Sequence, residues 1–123
     1  MPKIIYKELS YKIMNAVFTV HNTLGNGFLE KVYENAIMIE LSNKKIKCVQ
    51  QCPVEVFYKE KLVGDYVADI LVENKIILEI KTVKELTDIH EAQLMNYLKA
   101  TKLKLGILLN FANTKVEYQR IAM

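Results

Sequence analysis

The sequence has 123 residues, of which 51% are hydrophobic and 25% are charged, a composition typical of one soluble globular domain. It contains only four Gly and two Pro, which excludes an intrinsically disordered chain. The net charge of +3 permits a polyanionic partner without requiring one. The longest apolar run, Leu105–Leu109, is far shorter than the about 20 residues that cross a membrane. We therefore expect a single domain over residues 1–123, located in the cytoplasm and not in a membrane.

Two helices are predicted in the first third of the chain. Apolar residues recur at helical spacing from Tyr6 to Leu24. Gly25-Asn26-Gly27 ends this segment, because glycine readily adopts the left-handed conformation found at helix ends. A second segment with an apolar stripe at helical spacing follows from Leu29 to Asn43.

After the second helix the apolar period changes to two, which predicts strands. Three strands are expected, at Cys48–Tyr58, Leu62–Val72 and Ile76–Val83. The short segments between them, Lys59-Glu60-Lys61 and Glu73-Asn74-Lys75, are predicted turns. Consecutive strands with such short connections indicate an antiparallel meander.

The last third of the chain returns to a helix and then to strands. A helix is predicted over Asp88–Ala100, with Asp88 as its cap and Glu91 completing a capping box. The run Leu105–Leu109 is apolar on both faces, which favours a buried strand parallel to its neighbour after a helical crossover. Val116–Ile121 is more polar and is expected at a sheet edge. The predicted order ααβββαββ indicates a mixed sheet flanked by helices.

The two cysteines, Cys48 and Cys52, lie four residues apart on one predicted strand. That spacing corresponds to about 13 Å, which is too far for a disulfide. We expect both thiols to be reduced and half-buried, because the sequence lacks further zinc ligands at a familiar spacing.

The third predicted strand contains two charged residues in an apolar context. Glu79 and Lys81 lie two residues apart, so both side chains leave the same face of the sheet. Leu78 and Ile80 point to the opposite face. Burying a Glu and a Lys in such a strand is costly unless they are paired or bind an ion. The alternative is that this face is solvated, as in many sheets.

A hairpin turn centred on Asn74 places Asp69 directly opposite Glu79. The Cβ atoms of directly opposed residues lie about 5 Å apart, a distance at which two carboxylates repel each other. A divalent cation removes this repulsion, since Mg²⁺ takes one or two carboxylates together with waters and a substrate phosphate. Lys81 lies one pleat further along the same face. The sequence therefore predicts a metal-binding carboxylate pair with a cation beside it.

Asp69 followed by Glu79-Ile80-Lys81 resembles the D…(D/E)-x-K signature of the PD-(D/E)xK nuclease superfamily. The family's Pro is replaced by Ala68, and that Pro is often missing in the superfamily. Three further segments resemble the GxxExxY proteins, a small group within that superfamily. These segments are Gly27–Tyr33, which reads G-x-x-E-x-x-Y, His90–Leu98 and Leu103–Phe111. The resemblance implies the restriction-endonuclease-like α/β fold, a three-layer fold with a mixed sheet between helices.

The resemblance also implies a role for individual residues. The ligands of a Mg²⁺ or Mn²⁺ ion would be Asp69, Glu79, the main-chain carbonyl of Ile80 and Glu30. Lys81 corresponds to the lysine that orients or activates water and offsets charge in the transition state. Gln93 corresponds to a helix glutamine near the active site of exonuclease-like members. Tyr33, His90 and Tyr97 are expected as supporting residues.

Several of these residues have simpler interpretations. Glu30 also suits the first turn of a helix, where the helix dipole favours a carboxylate. Tyr33 and Tyr97 also suit packing positions with a hydrogen-bonded hydroxyl group. His90 also suits a surface or capping position. For Gln93 the functional and structural interpretations are evenly balanced.

Lysines near the predicted site could hold phosphates without reading sequence. The candidates are Lys84, Lys99 and Lys102, each of which could equally be a solubilising residue at the end of an element. We therefore expect a Mg²⁺- or Mn²⁺-dependent nuclease that acts on DNA with little sequence specificity, with RNA as an alternative substrate. A non-catalytic module that binds nucleic acid or protein is the alternative function. A homodimer or a partner protein is expected if both strands of a duplex are cut.

Overall fold

The computed structural model describes residues 4–123 and contains three helices and five strands in the order ααβββαββ. The elements are α1 Lys7–Leu24, α2 Glu30–Asn43, β1 Cys48–Tyr58, β2 Lys61–Val72, β3 Ile76–Lys81, α3 Asp88–Thr101, β4 Leu105–Asn110 and β5 Glu117–Ala122. Each predicted element is present. The third strand ends at Lys81, two residues earlier than predicted.

The five strands form one sheet in the order β1-β2-β3-β4-β5. Only β3 and β4 run parallel, and α3 provides the crossover between them. The strand β5 lies at an edge, as its polar composition predicted. The antiparallel meander, the parallel pair and the edge strand confirm the predicted mixed α/β fold.

Helices cover the sheet on both faces. Alternate residues of β3, such as Leu78 and Ile80, pack with α1 and α2 in one apolar cluster. Ile77 packs with Leu94 and Leu98 of α3 in a second cluster. Because five of the six residues of β3 are buried, the alternative interpretation, that one face of this strand is solvated, is wrong. Glu79 is buried within the strand, and Lys81 at its end is partly exposed.

Both hairpin turns occur where the sequence predicted them. Lys59 and Glu60 connect β1 to β2 with φ angles of 48° and 67°, and Glu73 and Asn74 connect β2 to β3 with φ angles of 51° and 56°. Consecutive residues with positive φ match the right-handed twist of the flanking strands. The left-handed conformation costs a non-glycine residue about 1–2 kcal/mol, so sheet pairing holds these turns against their local preference.

The start of α3 differs from the prediction. Thr87, not Asp88, is the residue that precedes the helix, and His90, not Glu91, completes the capping box. The Thr87 backbone N–H donates to His90 Nδ1 at 2.9 Å. An imidazole acceptor in this position can satisfy the same free backbone group as a carboxylate. This contact makes His90 a capping residue.

The two cysteines are free and partly buried, as expected. Among residues 4–123, no helix is both long enough and apolar enough to cross a membrane.

Candidate active site

The strands β2 and β3 separate at the predicted carboxylate pair. Their ladder contains the pairs Val72↔Ile76 through Ile70↔Leu78, which is the register that the turn at Asn74 predicted. The next residues in line, Asp69 and Glu79, are joined by side chains and not by the backbone ladder. The Asp69 N–H donates to Glu79 Oε2 at 2.7 Å, and the Ile80 N–H donates to Asp69 Oδ2 at 2.7 Å. We call this arrangement the carboxylate fork.

Hydrogen bonds to backbone N–H groups hold both carboxylates in place, but burial makes their negative charge costly. Glu79 is only 3% exposed. Burial, followed by the nearby charge of Asp69, raises the pKa of Glu79 from its ordinary value of 4.5 to about 8. Burial is also the largest cause of the raised pKa of Asp69. A cation bound at the fork would lower both pKa values, because positive charge nearby favours the ionised carboxylates.

Lys81 and Gln93 lie beside the fork on the α3 side. The Lys81 amino group donates to Gln93 Oε1 at 3.0 Å. Within the part of the chain that the structure describes, the only ion pair within 4.0 Å joins Lys31 to Glu34. The Lys81 amino group is thus near enough to lower the pKa of Glu79 and of Asp69, yet is not bound to either carboxylate.

The N-terminus of α2 closes the opposite side of the site. Glu30 is exposed at the start of this helix, and its Oε2 accepts a hydrogen bond from the Thr82 N–H at 3.1 Å. Tyr33 is fully buried and stacks on Phe111, with ring centroids 4.4 Å apart. The Tyr33 hydroxyl donates to the Gly25 carbonyl at 2.7 Å and accepts from the Phe28 N–H at 3.1 Å. Tyr33 therefore fixes the loop before Glu30 and does not itself reach the fork.

Sequence reasoning missed Glu34, which lies one helical turn after Glu30 and is only 3% exposed. Its carboxylate accepts hydrogen bonds from Lys31 at 2.8 Å, from Gln51 at 2.9 Å and from Gln50. Its charge raises the pKa of Asp69. The available signal was its spacing of four residues from Glu30, which places both on one helix face.

The sequence analysis also did not single out Gln51, a residue of β1 that lines a cavity beside the fork. The flanking pairs Gln50↔Ile70 and Cys52↔Ala68 place Gln51 opposite Asp69 on β1. Its φ angle of 54° is unusual for a non-glycine residue inside a strand, and such outliers concentrate at functional sites. No sequence pattern marks this position, because Gln is not favoured in the left-handed region.

A buried asparagine anchors the loop that follows Lys81. Asn110 is fully buried at the end of β4. Its Oδ1 accepts from the Val83 N–H at 3.0 Å, while its Nδ2 donates to the Val83 carbonyl at 2.8 Å and to Glu117 Oε1 at 2.9 Å. Glu117 Oε1 also accepts from the Leu86 N–H at 3.1 Å. The sequence analysis did not single out Asn110, since it reads as the polar end of an apolar strand.

A cavity of about 510 Å³ opens beside the fork. It is lined by Leu29, Glu30, Lys31, Glu34, Gln51, Asp69 and Thr82. A larger cavity, of about 760 Å³, lies between α1 and β5 and shares no residue with it. We assign the smaller cavity to the site, because Asp69 of the fork lines it together with Glu30 and Glu34.

The three predicted phosphate-binding lysines lie on different elements around the site. Lys99 lines a groove on α3 together with Gln93. Lys84 is exposed in the loop after β3, and Lys102 is exposed at the C-terminus of α3 with a φ angle of 62°. Of these three lysines, only Lys99 lines a groove that also contains a predicted site residue, Gln93.

Comparison with known proteins identifies the family. The model of the PD-(D/E)XK nuclease superfamily matches residues 7–121. The chain belongs to the PD-(D/E)XK nuclease superfamily. The structure is also similar to the crystal structure of SSO0001, with a TM-score of 0.57 and 23% sequence identity. That match covers 95% of this chain but 57% of the other, so this PD-(D/E)XK chain spans little more than half the length of that relative. A search of curated proteins found no match.

The donor set of this PD-(D/E)XK site suits a hard divalent cation. Among the described residues, no group of three or more His, Cys, Asp or Glu side chains is arranged to hold a metal ion. The candidate ligands are instead the two fork carboxylates and the main-chain carbonyl of Ile80. Mg²⁺ commonly uses one or two carboxylates and keeps several waters, so oxygen donors of this number and kind fit it. The raised pKa of Glu79 is consistent with a position that lacks a compensating positive charge.

Proposed function

We propose that this chain is a divalent-metal-dependent nuclease that hydrolyses phosphodiester bonds, with DNA as its substrate and little sequence specificity. One observation carries the proposal: the Glu79 carboxylate accepts a hydrogen bond from the Asp69 N–H, the Asp69 carboxylate accepts one from the Ile80 N–H, and Lys81 lies beside this fork. A chain that needed only a stable sheet would continue the backbone ladder here and avoid placing a buried carboxylate next to a half-buried one. Membership of the PD-(D/E)XK superfamily supports the same function.

Asp69, Glu79 and the Ile80 carbonyl would hold Mg²⁺ or Mn²⁺, and Glu30 would approach it from α2. When bound, the cation would polarise the phosphate and lower the pKa of the attacking water. The hydrogen bonds from the Asp69 and Ile80 N–H groups orient the two carboxylates before any substrate arrives. Preorganised charge of this kind lowers the barrier without a reorganisation cost during the reaction.

Lys81 and Gln93 would act on the side of the fork that faces α3. The Lys81 ammonium group donates to Gln93 Oε1 and forms no ion pair with the fork, so it is available to position water and to offset charge on the phosphate. Gln93 would hold the lysine amino group in place beside the fork. Lys99, in the groove that Gln93 lines, would contact the phosphate backbone of the substrate.

The finer assignments extend this proposal. The G-x-x-E-x-x-Y segment supports membership of the GxxExxY group, in which Glu30 and Tyr33 occupy the named positions. A single site cuts one strand, so cleavage of both strands would require a homodimer or a partner chain. A cytoplasmic location fits a nuclease with two free cysteines.

The test is cleavage of labelled single-stranded, duplex and branched DNA, and of RNA, with Mg²⁺ or Mn²⁺. A Lys81→Ala protein purified in parallel controls for contaminating nucleases. We expect cleavage that requires the metal and is lost in the variant. An absence of cleavage on every substrate would contradict the proposal and favour a non-catalytic binding module. Unchanged metal binding in Asp69→Ala would contradict the assignment of the fork.

A further inference from the structure

The hairpin formed by β1 and β2 extends beyond the rest of the sheet. Of the residues of β2, which begins at Lys61, only Ile70–Val72 pair with β3. We call the overhanging part, residues 52–68, the arm. Among the described residues, the arm makes no ladder pair with any strand outside the hairpin. Large apolar side chains are exposed along it, among them Phe57 at 59%, Leu62 at 48% and Tyr66 at 41%.

Tyr66 is the arm residue nearest the fork among these three, because it precedes Asp69 by three positions on the same strand. Its ring lies 5.8 Å from the ring of Tyr97, centroid to centroid, at an angle of 41°. A Cβ atom at Gly64 would lie 3.0 Å from Tyr66 Cε2, so the ring rests closely over the glycine. The Tyr66 ring is thus held in place from two sides while 41% of the residue stays exposed.

Tyr97 connects this ring to the catalytic side chains. It is only 5% exposed. Burial and the charges of Glu79 and Asp69 raise its pKa, and Gln93, one helical turn earlier on α3, lies near enough to oppose that rise. Gln93 in turn accepts a hydrogen bond from Lys81. The exposed ring of Tyr66 is therefore separated from Lys81 only by Tyr97 and Gln93.

We propose that Tyr66, backed by Tyr97, is a stacking subsite for one unpaired nucleobase next to the cut phosphodiester. This inference rests on the proposed nuclease function and narrows its substrate to nucleic acid that is single-stranded or locally unpaired at the cut. An aromatic ring stacks on any base, since every base has a π-face. Bases inside a duplex cover their faces with their neighbours, so only an unpaired or splayed base can use this ring.

The charges of the arm beside Tyr66 are acidic. Glu55 and Asp65 lie directly opposite each other across the hairpin, so this part of the arm repels the nucleic-acid backbone. The lysines of the arm, Lys59 and Lys61, lie at its tip, whereas Lys81 and Lys99, on β3 and α3, are the candidate cations on the side of the site. A bound strand would therefore place its phosphates toward α3 and turn a base toward Tyr66.

The inference is tested by fluorescence anisotropy in EDTA, with a labelled single strand of about 12 nucleotides and a fully paired, blunt-ended duplex as probes. The variants are Tyr66→Leu, which keeps apolar volume without a ring, and Tyr66→Phe, which keeps the ring. Tyr58→Ala, at the exposed tip of the arm, is the matched control. We expect Tyr66→Leu to weaken single-strand binding by roughly 5- to 150-fold, and Tyr66→Phe to stay within about twofold of wild type. Duplex binding and the Tyr58→Ala variant should be unchanged.

Several results would overturn the inference. They are no detectable single-strand binding by the wild type, wild-type affinity in a Tyr66→Leu variant whose circular dichroism is unchanged, or an equal loss on the duplex. A dimer that Tyr66→Leu dissociates in light scattering would assign the ring to self-association instead. The two proposals fail separately. Metal-dependent cleavage with binding that does not depend on Tyr66 would overturn only the base subsite. Binding that depends on Tyr66 without any cleavage would overturn the nuclease and would leave Tyr66 as a base-binding residue of a non-catalytic module.

Discussion

Replacing Glu79 with glutamine should make the protein more stable while removing its proposed activity. Glu79 is 3% exposed, and its pKa is raised from 4.5 to about 8, first by burial and then by Asp69. Glutamine has nearly the same shape, and its Oε1 can accept the same hydrogen bond from the Asp69 N–H. The substitution therefore removes the free-energy cost of keeping this carboxyl group protonated at neutral pH and keeps the contact that closes the fork.

The magnitude follows from the linkage between protonation and folding. Between pH 4.5 and pH 8 the folded chain keeps a proton on Glu79 that the unfolded chain releases. The free energy of unfolding therefore falls as the pH rises through this range. At pH 7 the carboxyl group costs about 3 kcal/mol, from the interval between its ordinary pKa and the solution pH at about 1.4 kcal/mol per unit. At pH 5 the cost is only about 1 kcal/mol.

The assay is urea unfolding followed by circular dichroism, with EDTA present, at pH 5 and pH 7. At pH 7 we expect Glu79→Gln to be more stable than wild type by about 3 kcal/mol, which corresponds to a rise in Tm of about 10 °C. Glu85→Gln, in an exposed loop, should change stability by less than about 0.5 kcal/mol. A Glu79→Gln protein with wild-type stability at both pH values would refute the view that burial beside Asp69 raises the pKa of Glu79 and makes its ionised form costly.

Three further predictions follow from the same structure. Mg²⁺ should bind roughly 50-fold more weakly at pH 6 than at pH 8, because binding must displace the Glu79 proton. Isothermal titration calorimetry would show this, and equal affinities at the two pH values would contradict it. Asn110→Ala should lower the free energy of unfolding by about 3 kcal/mol, since it leaves the part-buried backbone N–H and carbonyl of Val83 without their side-chain partners; urea unfolding measures the loss. Gly106→Ala should cost about 1–3 kcal/mol in the same assay, because the added Cβ would lie 2.7–2.8 Å from side-chain atoms of the buried Leu94. An unchanged free energy of unfolding in Gly106→Ala would show that the core around Leu94 can rearrange locally.

Local patterns were sufficient to predict every helix and strand and the register of the hairpin formed by β2 and β3. Apolar periods of 3.6 and 2 separate helices from strands because they place side chains on one face of each element. The turn at Asn74 sets the register because a hairpin pairs residues symmetrically about its turn. That symmetry brings Asp69 and Glu79 to one point, so the carboxylate pair was visible from spacing alone.

The cap of α3 shows how local patterns fail. Asp88 and Glu91 match the spacing of a capping box, but Thr87 and His90 match it equally well one residue earlier. Both pairs offer acceptors to the free N–H groups of the first turn. Sequence spacing could not choose between them, because the choice depends on the direction from which the chain enters the helix.

The sequence by itself determined which residues form each element and which two carboxylates meet, since these depend on contacts between neighbours along the chain or across one short turn. Only the tertiary structure brought Glu34 and Gln51 to Asp69, placed Asn110 under the loop after Lys81, and set Tyr66 against Tyr97. These contacts join separate elements, and their geometry depends on how helices pack across a twisted sheet. Contacts between elements that are far apart in the sequence leave no periodic pattern of residues. The shape of the cavity beside the fork therefore depends on how the helices pack against the sheet.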